Sequence, residues 1–328
     1  MNQIRARVIS QEKGLYRLSD GQTVKNAAVS GKYMYNALTV SDYPAVGDYV
    51  VADWPDDDSN AVIHTLFPRK SCFMRKAAGK DKQEQVVAAN IDTVFICMSL
   101  NNDFNIRRIE RYLAVAFDSG ATPVVVLTKA DLCDDIESKL LEISTVAAGV
   151  DILVVSSLKG DYKEVLKYVE NGKTIAFIGS SGVGKSTLIN KLIGSDIIAT
   201  GGLRNEDKGR HTTTHRQLIA LENGAFLIDT PGMRELGMWD NEAGIDIAFG
   251  DVEEITYKCK FSDCTHTSEP GCAILKALSE GTLDESRWNA YLKLKAENEY
   301  SADAGQYLEA KKAKFKEIAK INKKNKKY

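Results

Sequence analysis

No stretch of this 328-residue chain approaches the ~20 consecutive apolar residues that a membrane-spanning helix requires. Functions that depend on such helices are therefore set aside. The opening residues, Met1 to Arg7, lead into no apolar signal-peptide core. A cytoplasmic protein without a membrane partner is expected. Cysteine is sparse. Six in this length do not make a disulfide framework, and three of them stand together beside a histidine. Internal repeats are absent. Neither sign of charge dominates, since the net charge is −2.

That balance hides an asymmetry. Residues 311–328 hold nine lysines and one glutamate, a local charge of +8, which leaves −10 for the remainder. A basic tail on an acidic body suits a polyanion such as RNA, or it serves only solubility. The rest of the composition, 44% hydrophobic and 27% charged, is that of a globular protein. The length is enough for two or three domains.

The first 70 residues predict short strands at Ile4–Ile9, Leu15–Leu18, Asp48–Trp54 and Ala61–Leu66, separated by turn signals. This spacing points to a small β-barrel of OB type, spanning 1–72. Such a barrel either presents a nucleic-acid face or docks protein; Tyr16, Tyr33, Tyr35, Lys25 and Lys32 fit the first use or, for the aromatics, a core. Arg69–Gln85 is polar and lysine-rich and reads as a linker or mobile loop.

From Ile91 the texture changes. Ile91–Met98 is a nearly continuous apolar run, then Ile106, Ile109, Leu113, Ala116 and Phe117 have helical spacing, with Asn105 as N-cap and Gly120 as stop. Further runs at Pro123–Leu127, Ile152–Val155 and Thr174–Ile178 alternate with helical patterns near Ile136–Ala147 and Tyr162–Val169. That alternation predicts a parallel sheet covered on both faces, over 73–236. Gln217–Leu221 and Ala225–Ile228 predict a hairpin. Residues 237–328 predict a helical domain with a basic tail: Val252–Ile255 as a short strand, then helices at Gly271–Leu278, Asp284–Ala296 and from Gln306.

Gly179-Ser180-Ser181-Gly182-Val183-Gly184-Lys185-Ser186-Thr187 follows one predicted strand and opens a helix. This is the context of a phosphate-binding P-loop. Backbone amides turn inward around a phosphate, and the helix N-terminus favours its charge. Lys185 is placed to reach the β- and γ-phosphates, and the Ser186 hydroxyl to hold Mg²⁺. Asp229-Thr230-Pro231-Gly232 ends another strand, where Asp229 holds Mg²⁺ through water and the Gly232 amide meets the γ-phosphate. Thr128-Lys129-Ala130-Asp131 resembles the guanine-reading motif of GTPases, usually Asn-Lys-x-Asp. The Asp131 carboxylate can accept from guanine N1–H and the 2-amine, which adenine does not offer. Lys129 lies along the base, and Ser156 or Ser157 supplies an amide to guanine O6. Thr128 in place of asparagine removes the amide that ties this loop to the P-loop, so weaker base binding is expected.

The base motif precedes the P-loop, whereas the conventional order is the reverse. The chain therefore reads as a circularly permuted GTPase. Gly209-Arg210-His211-Thr212-Thr213-Thr214-His215 lies between P-loop and Asp229. Thr213 or Thr212 is the switch threonine that ligates Mg²⁺. Met233 stands where many GTPases carry a water-orienting glutamine, and His211 is the nearby alternative. Finally, Cys259, Cys264, His266 and Cys272 offer three thiolates and one imidazole, a set suited to one closed, structural Zn²⁺ site.

These motifs in this order resemble the small ribosomal subunit biogenesis GTPases of the RsgA (YjeQ) family, over nearly the whole chain. The resemblance implies an N-terminal OB-fold, a permuted GTPase domain and a C-terminal zinc-binding domain. It implies a GTPase, binding GTP and GDP, that acts in late 30S maturation, binds 16S rRNA and is stimulated by the subunit. It also assigns catalysis to His211, which joins Lys185 and Thr213 from the motif reading as the expected catalytic residues. A monomer is expected.

Overall fold

The computed structural model describes residues 2–12, 14–76, 84–194, 217–229 and 243–299. The predicted helix from Gln306 and the basic tail lie outside them.

The chain opens with β1 (Asn2–Glu12), β2 (Leu15–Ser19), β3 (Val24–Val29), helix α1 (Gly31–Asn36), β4 (Tyr49–Trp54) and β5 (Ala61–Leu66). β1 is long enough to pair with β2 along one half and β4 along the other. β3 then pairs with β5 in parallel and β5 with β4, so five strands close on themselves. Alternating residues such as Ala6, Val8, Leu18, Val50, Ala52 and Ile63 fill the interior. Tyr16 belongs to that interior at 2% exposure, whereas Tyr35 is 83% exposed. Tyr33 is half-buried, its hydroxyl donating to the Asp42 carbonyl at 2.6 Å. Lys25 reaches the Asp57 carbonyl at 2.6 Å, next to the Trp54 ring. β3 is short on the apolar alternation by which the other strands were predicted: Val-Lys-Asn-Ala-Ala-Val buries only Ala27.

The predicted linker at Arg69–Gln85 is corrected. Cys72–Lys76 (β6) and Glu84–Ala89 (β7) pair as an antiparallel hairpin. Phe73, Val86 and Val87 are buried beneath it, behind the polar residues that suggested a linker.

The sheet that follows consists of β8 (Thr93–Ser99), β9 (Thr122–Thr128), β10 (Asp151–Val154), β11 (Thr174–Ile178), β12 (Gln217–Ala220) and β13 (Phe226–Asp229). Its order is β10-β9-β8-β11-β13-β12, all parallel except β12, which turns back on β13. β12 also touches β1 at Gln217 and Ser10, so sheet and barrel are continuous. Helices α2 (Ile106–Ser119), α3 (Ile136–Ser144) and α4 (Lys185–Ile193) cross between strands. The α2 boundaries follow the sequence: Asn105 caps the Arg108 amide, and Gly120 adopts a left-handed C-cap. The sheet is buried on both faces. Val94, Ile96 and Met98 join one cluster with α2, while Phe95 and Cys97 join another with Leu188 and Ile189 of α4.

After the sheet come α5 (Ala243–Ala248), α6 (Gly250–Thr256), α7 (Ala273–Glu280) and α8 (285–299). The short strand predicted at Val252–Ile255 is helix α6 instead. Its apolar residues at 252 and 255 are one helical turn apart and pack toward Phe249, which a three- or four-residue window cannot distinguish from a strand. These helices share one hydrophobic cluster with α2 and that sheet face. Arg287 of α8 seals the junction. It donates to Glu110 of α2 at 2.6 Å, to Asp251 of α6 at 2.5 and 2.7 Å, and to the Ala248 carbonyl at 3.1 Å. Arg107 donates to the same buried Glu110 oxygen at 2.5 Å.

Candidate nucleotide site and metal centre

Strand β11 is fully buried, and the chain leaves it at Gly179 with φ +142°. A Cβ at this position would lie 2.4 Å from the Cys97 carbonyl of β8. Only glycine lets the turn press against the neighbouring strand. Ser180, Ser181 and Gly182 carry the chain outward, Val183 is buried, and Gly184 caps α4 in the left-handed conformation. Lys185 is the first helical residue, followed by Ser186 and Thr187, both half-buried. The Lys185 ammonium folds over the loop and donates to the carbonyls of Gly179 at 2.6 Å and Ser180 at 2.5 Å. A cationic head, a glycine-rich turn and the start of a helix thus converge, an arrangement that attracts and cradles an anion.

The loop that carries the predicted guanine motif stands beside it. β9 ends at Thr128, whose side chain is buried and faces Gly184. Its hydroxyl donates to the Val183 carbonyl and lies 3.4 Å from the Met98 carbonyl. The expectation that threonine would cost the tie to the P-loop is therefore corrected: the tie persists, made by a hydroxyl in place of an amide. The shorter side chain suffices because strands β9 and β11 bracket β8 and bring Thr128 against the loop. Two backbone bonds hold this turn, Leu100 N–H to Thr128 O at 2.9 Å and Ala130 N–H to Val155 O at 3.2 Å. Lys129 occupies the left-handed region at φ +56°. Such conformations cluster at ligand sites when the surroundings enforce them.

Asp131 is oriented by Ser156. The serine hydroxyl donates to the carboxylate at 2.5 Å and holds its pKa below the usual carboxylate range. The amide role expected of Ser156 is corrected, because its N–H donates to Asp161 O at 2.9 Å within the loop. The amides of Ser157 and Leu158 have no acceptor among the described residues. Sequence spacing placed a serine here but could not tell hydroxyl from amide. His211, Thr212, Thr213 and Gly232 lie outside the described residues. Asp229 ends β13, immediately after Ile228, the partner of Ala176 on β11.

The second centre is built from α6's exit and the start of α7. Cys259, Cys264, His266 and Cys272 bring one ligand atom each to within 4.8 Å of one another. His266 Nδ1 lies 3.5 Å from the sulfurs of Cys259 and Cys272, which are 4.0 Å apart. Metal–sulfur bonds of about 2.3 Å in a tetrahedron imply edges of about 3.8 Å, so these residues can hold a metal ion. The Ala273 and Leu275 amides point at the Cys259 and Cys272 sulfurs, at 3.3 and 3.5 Å, as thiolate ligands require. Trp288 of α8 packs edge-on against the His266 ring.

Comparison with known proteins bears on this pair of centres. The RsgA GTPase family model matches residues 66–239. This chain belongs to the RsgA GTPase family. It is accordingly a GTP hydrolase. A small ribosomal subunit biogenesis GTPase, RsgA 2, of Lactiplantibacillus plantarum is 47% identical over 94% of this chain and 88% of its own. RsgA 1 of Oceanobacillus iheyensis is 41% identical over 98% and 93%. Among solved structures, YjeQ from Thermotoga maritima superposes with a TM-score of 0.66 at 27% identity, over 89% of this chain and 97% of that one. YloQ, described as a circularly permuted GTPase, gives 0.64 at 24% identity and supports the fold alone. The barrel, the permuted sheet and the helical region with a Cys/His cluster that could hold a metal ion, all present in this RsgA family member, are those the resemblance implies.

Proposed function

We propose that this protein hydrolyses GTP during late maturation of the small ribosomal subunit. It binds 16S rRNA, is stimulated by the subunit, and works as a cytoplasmic monomer. The observation that carries the reading of the site is the Thr128–Val183 hydrogen bond. It couples a base-reading loop to a phosphate loop 48 residues further along the chain, so one guanine nucleotide can span both. The relatives' printed role in small-subunit biogenesis supplies the biological setting.

In this reading Asp131 accepts from guanine N1–H and the 2-amine, Lys129 covers the base, and the Ser157 and Leu158 amides face O6. The amides of 180–187 enclose the phosphates, while Lys185 exchanges its loop carbonyls for phosphate oxygens. Ser186 and Thr213 or Thr212 hold Mg²⁺, with Asp229 acting through water. Mg²⁺ neutralises charge developing on the β- and γ-oxygens. His211 orients the attacking water, because the Met233 thioether cannot. The four Cys and His ligands hold one structural Zn²⁺, since a complete N/S set leaves no position for a substrate.

The test is phosphate release from GTP with and without purified small subunits, with ATP as control. Slow turnover alone and a large increase with subunits are expected. Equal turnover in both would overturn the ribosomal role. Asp131→Asn is expected to shift preference from GTP toward xanthosine triphosphate, and an unchanged preference would remove Asp131 from base recognition.

A further inference from the structure

A cavity of about 430 Å³ lies where the barrel meets the sheet. It opens beside Phe226, which pairs with Thr174 at the end of β11 remote from the phosphate loop. Two arginines of β1 give it an unusual character. Arg7 is 6% exposed, and its guanidinium lies between the rings of Tyr49 and Phe226, 5.0 and 4.6 Å from their centroids. Nη2 donates to the Thr174 hydroxyl at 2.6 Å and Nε to the Gly47 carbonyl at 3.3 Å. Nη1 is buried and has no acceptor. Neither Arg7 nor Arg5 has a carboxylate partner among the described ion pairs. Its hydrogen-bond partners are neutral, with Asp92 and Asp48 acting on it only electrostatically, and a buried cation without a directly bound anion is costly. Burial lowers the pKa of Arg7 accordingly.

Arg5 supplies the second element. Its side chain is exposed, and its guanidinium stacks 4.1 Å over the Tyr49 ring. The Phe67 ring lies 5.4 Å from the same guanidinium, and the part of this stack that stays exposed is a planar, cationic surface of the kind on which nucleobases settle. The one carboxylate on the cavity, Asp20, is occupied by the amides of Gln22 and Thr23 at 2.8 and 2.6 Å. The remaining wall is apolar, with Ile9, Val24 and Leu218. The volume lies within the ~300–1,000 Å³ of small-ligand pockets.

We propose that this cavity binds a nucleoside monophosphate unit, with its base on the Arg5–Tyr49 stack and its phosphate on Arg7. The unit comes either from a free nucleotide or from an unpaired residue of single-stranded RNA. The RNA source rests on the ribosomal reading above; the free nucleotide does not, and subunit-stimulated hydrolysis would stand or fall separately from both.

The experiment uses the full chain saturated with GDP and Mg²⁺, so that the phosphate loop is filled. AMP, UMP and an unstructured hexauridylate are titrated by calorimetry. Saturable binding is expected in the presence of GDP, weakened at least tenfold by Arg5→Ala and by Ala220→Trp, which fills the cavity from an exposed position on β12. Unchanged GDP affinity reports that both variants are folded. Hexauridylate binding more than tenfold tighter than UMP assigns the site to RNA; comparable affinities assign it to free nucleotides. Absence of saturable binding by all three ligands, competition by GDP, or indifference to Arg5→Ala would overturn the proposal.

Discussion

Thr128→Val isolates the bond between base loop and phosphate loop. Valine matches threonine in shape, so the buried site keeps its packing and loses only the hydroxyl. Thr128 is 2% exposed and Val183 is fully buried, so the Val183 carbonyl loses its donor where water has little access. Leaving a buried acceptor unpaired costs about 1–3 kcal/mol. Part of this appears as lost stability. The rest appears in binding, because the P-loop of the nucleotide-free variant can turn the Val183 carbonyl toward water and must turn it back around a phosphate. If half of the cost is transferred, GDP affinity falls by about two- to tenfold, since about 1.4 kcal/mol is a factor of ten. Thr128→Ser retains the hydroxyl and is expected to recover most of the loss. Thr128→Asn restores the usual amide and is expected to bind at least as well as the parent. Fluorescent GDP titration together with denaturant unfolding measures both parts. Wild-type affinity and wild-type stability in Thr128→Val would refute the claim that this hydroxyl couples the two loops.

Other outcomes follow from the same structure. Asp118 lies under α5 with one buried oxygen that has no partner, and burial pushes its pKa up to about 7. The native pKa lies above the unfolded value, so the carboxylate opposes folding as pH rises from about 4 through about 7. Asp118→Asn is expected to be more stable than the parent at about pH 8, by about 1–2 kcal/mol once solvent screening is allowed for, with the gap closing near pH 4; a gap independent of pH in denaturant titrations would reject this. Arg287→Met removes the guanidinium shared by Glu110 and Asp251 and is expected to cost about 3–5 kcal/mol, read as an earlier unfolding transition. Metal analysis should give one Zn per chain, and Cys264→Ser or a strong chelator should unfold the helices around α7, since structural zinc contributes about 10–16 kcal/mol of apparent binding free energy. A chelated protein with unchanged helical circular dichroism would make the cluster dispensable.

Much of the architecture was legible because local patterns and tertiary packing agree. The runs at 93–99 and 122–128 are apolar on both faces because each strand is covered by helices on both sides. Asn105 and Gly120 bounded α2 correctly because caps act through their own backbone neighbours. Misreadings arose where burial came from distant partners. β6 and β7 carry polar residues on an open face while Phe73 and Val87 pack below. β3 is a strand because β2 and β5 flank it, not because it alternates. Val252–Ile255 is too short a window to separate helix from strand.

The site divides in the same way. Residue types and their order along the chain determined the chemistry: a P-loop ending in Lys185 and Ser186, a carboxylate at Asp131 ahead of it, and four soft ligands from Cys259 to Cys272. Those signals are local, since each motif lies within its own few residues. Only the tertiary structure decided how the motifs act on one another. Sheet order sets Thr128 against Val183, loop curvature commits the Ser156 amide to Asp161 and leaves its hydroxyl for Asp131, and the packing of α8 on α2 joins Arg287 to Glu110. These contacts span 55, 25 and 177 residues of chain, and a side chain's partner at such range is fixed by the fold's geometry, on which neighbouring residues carry no information.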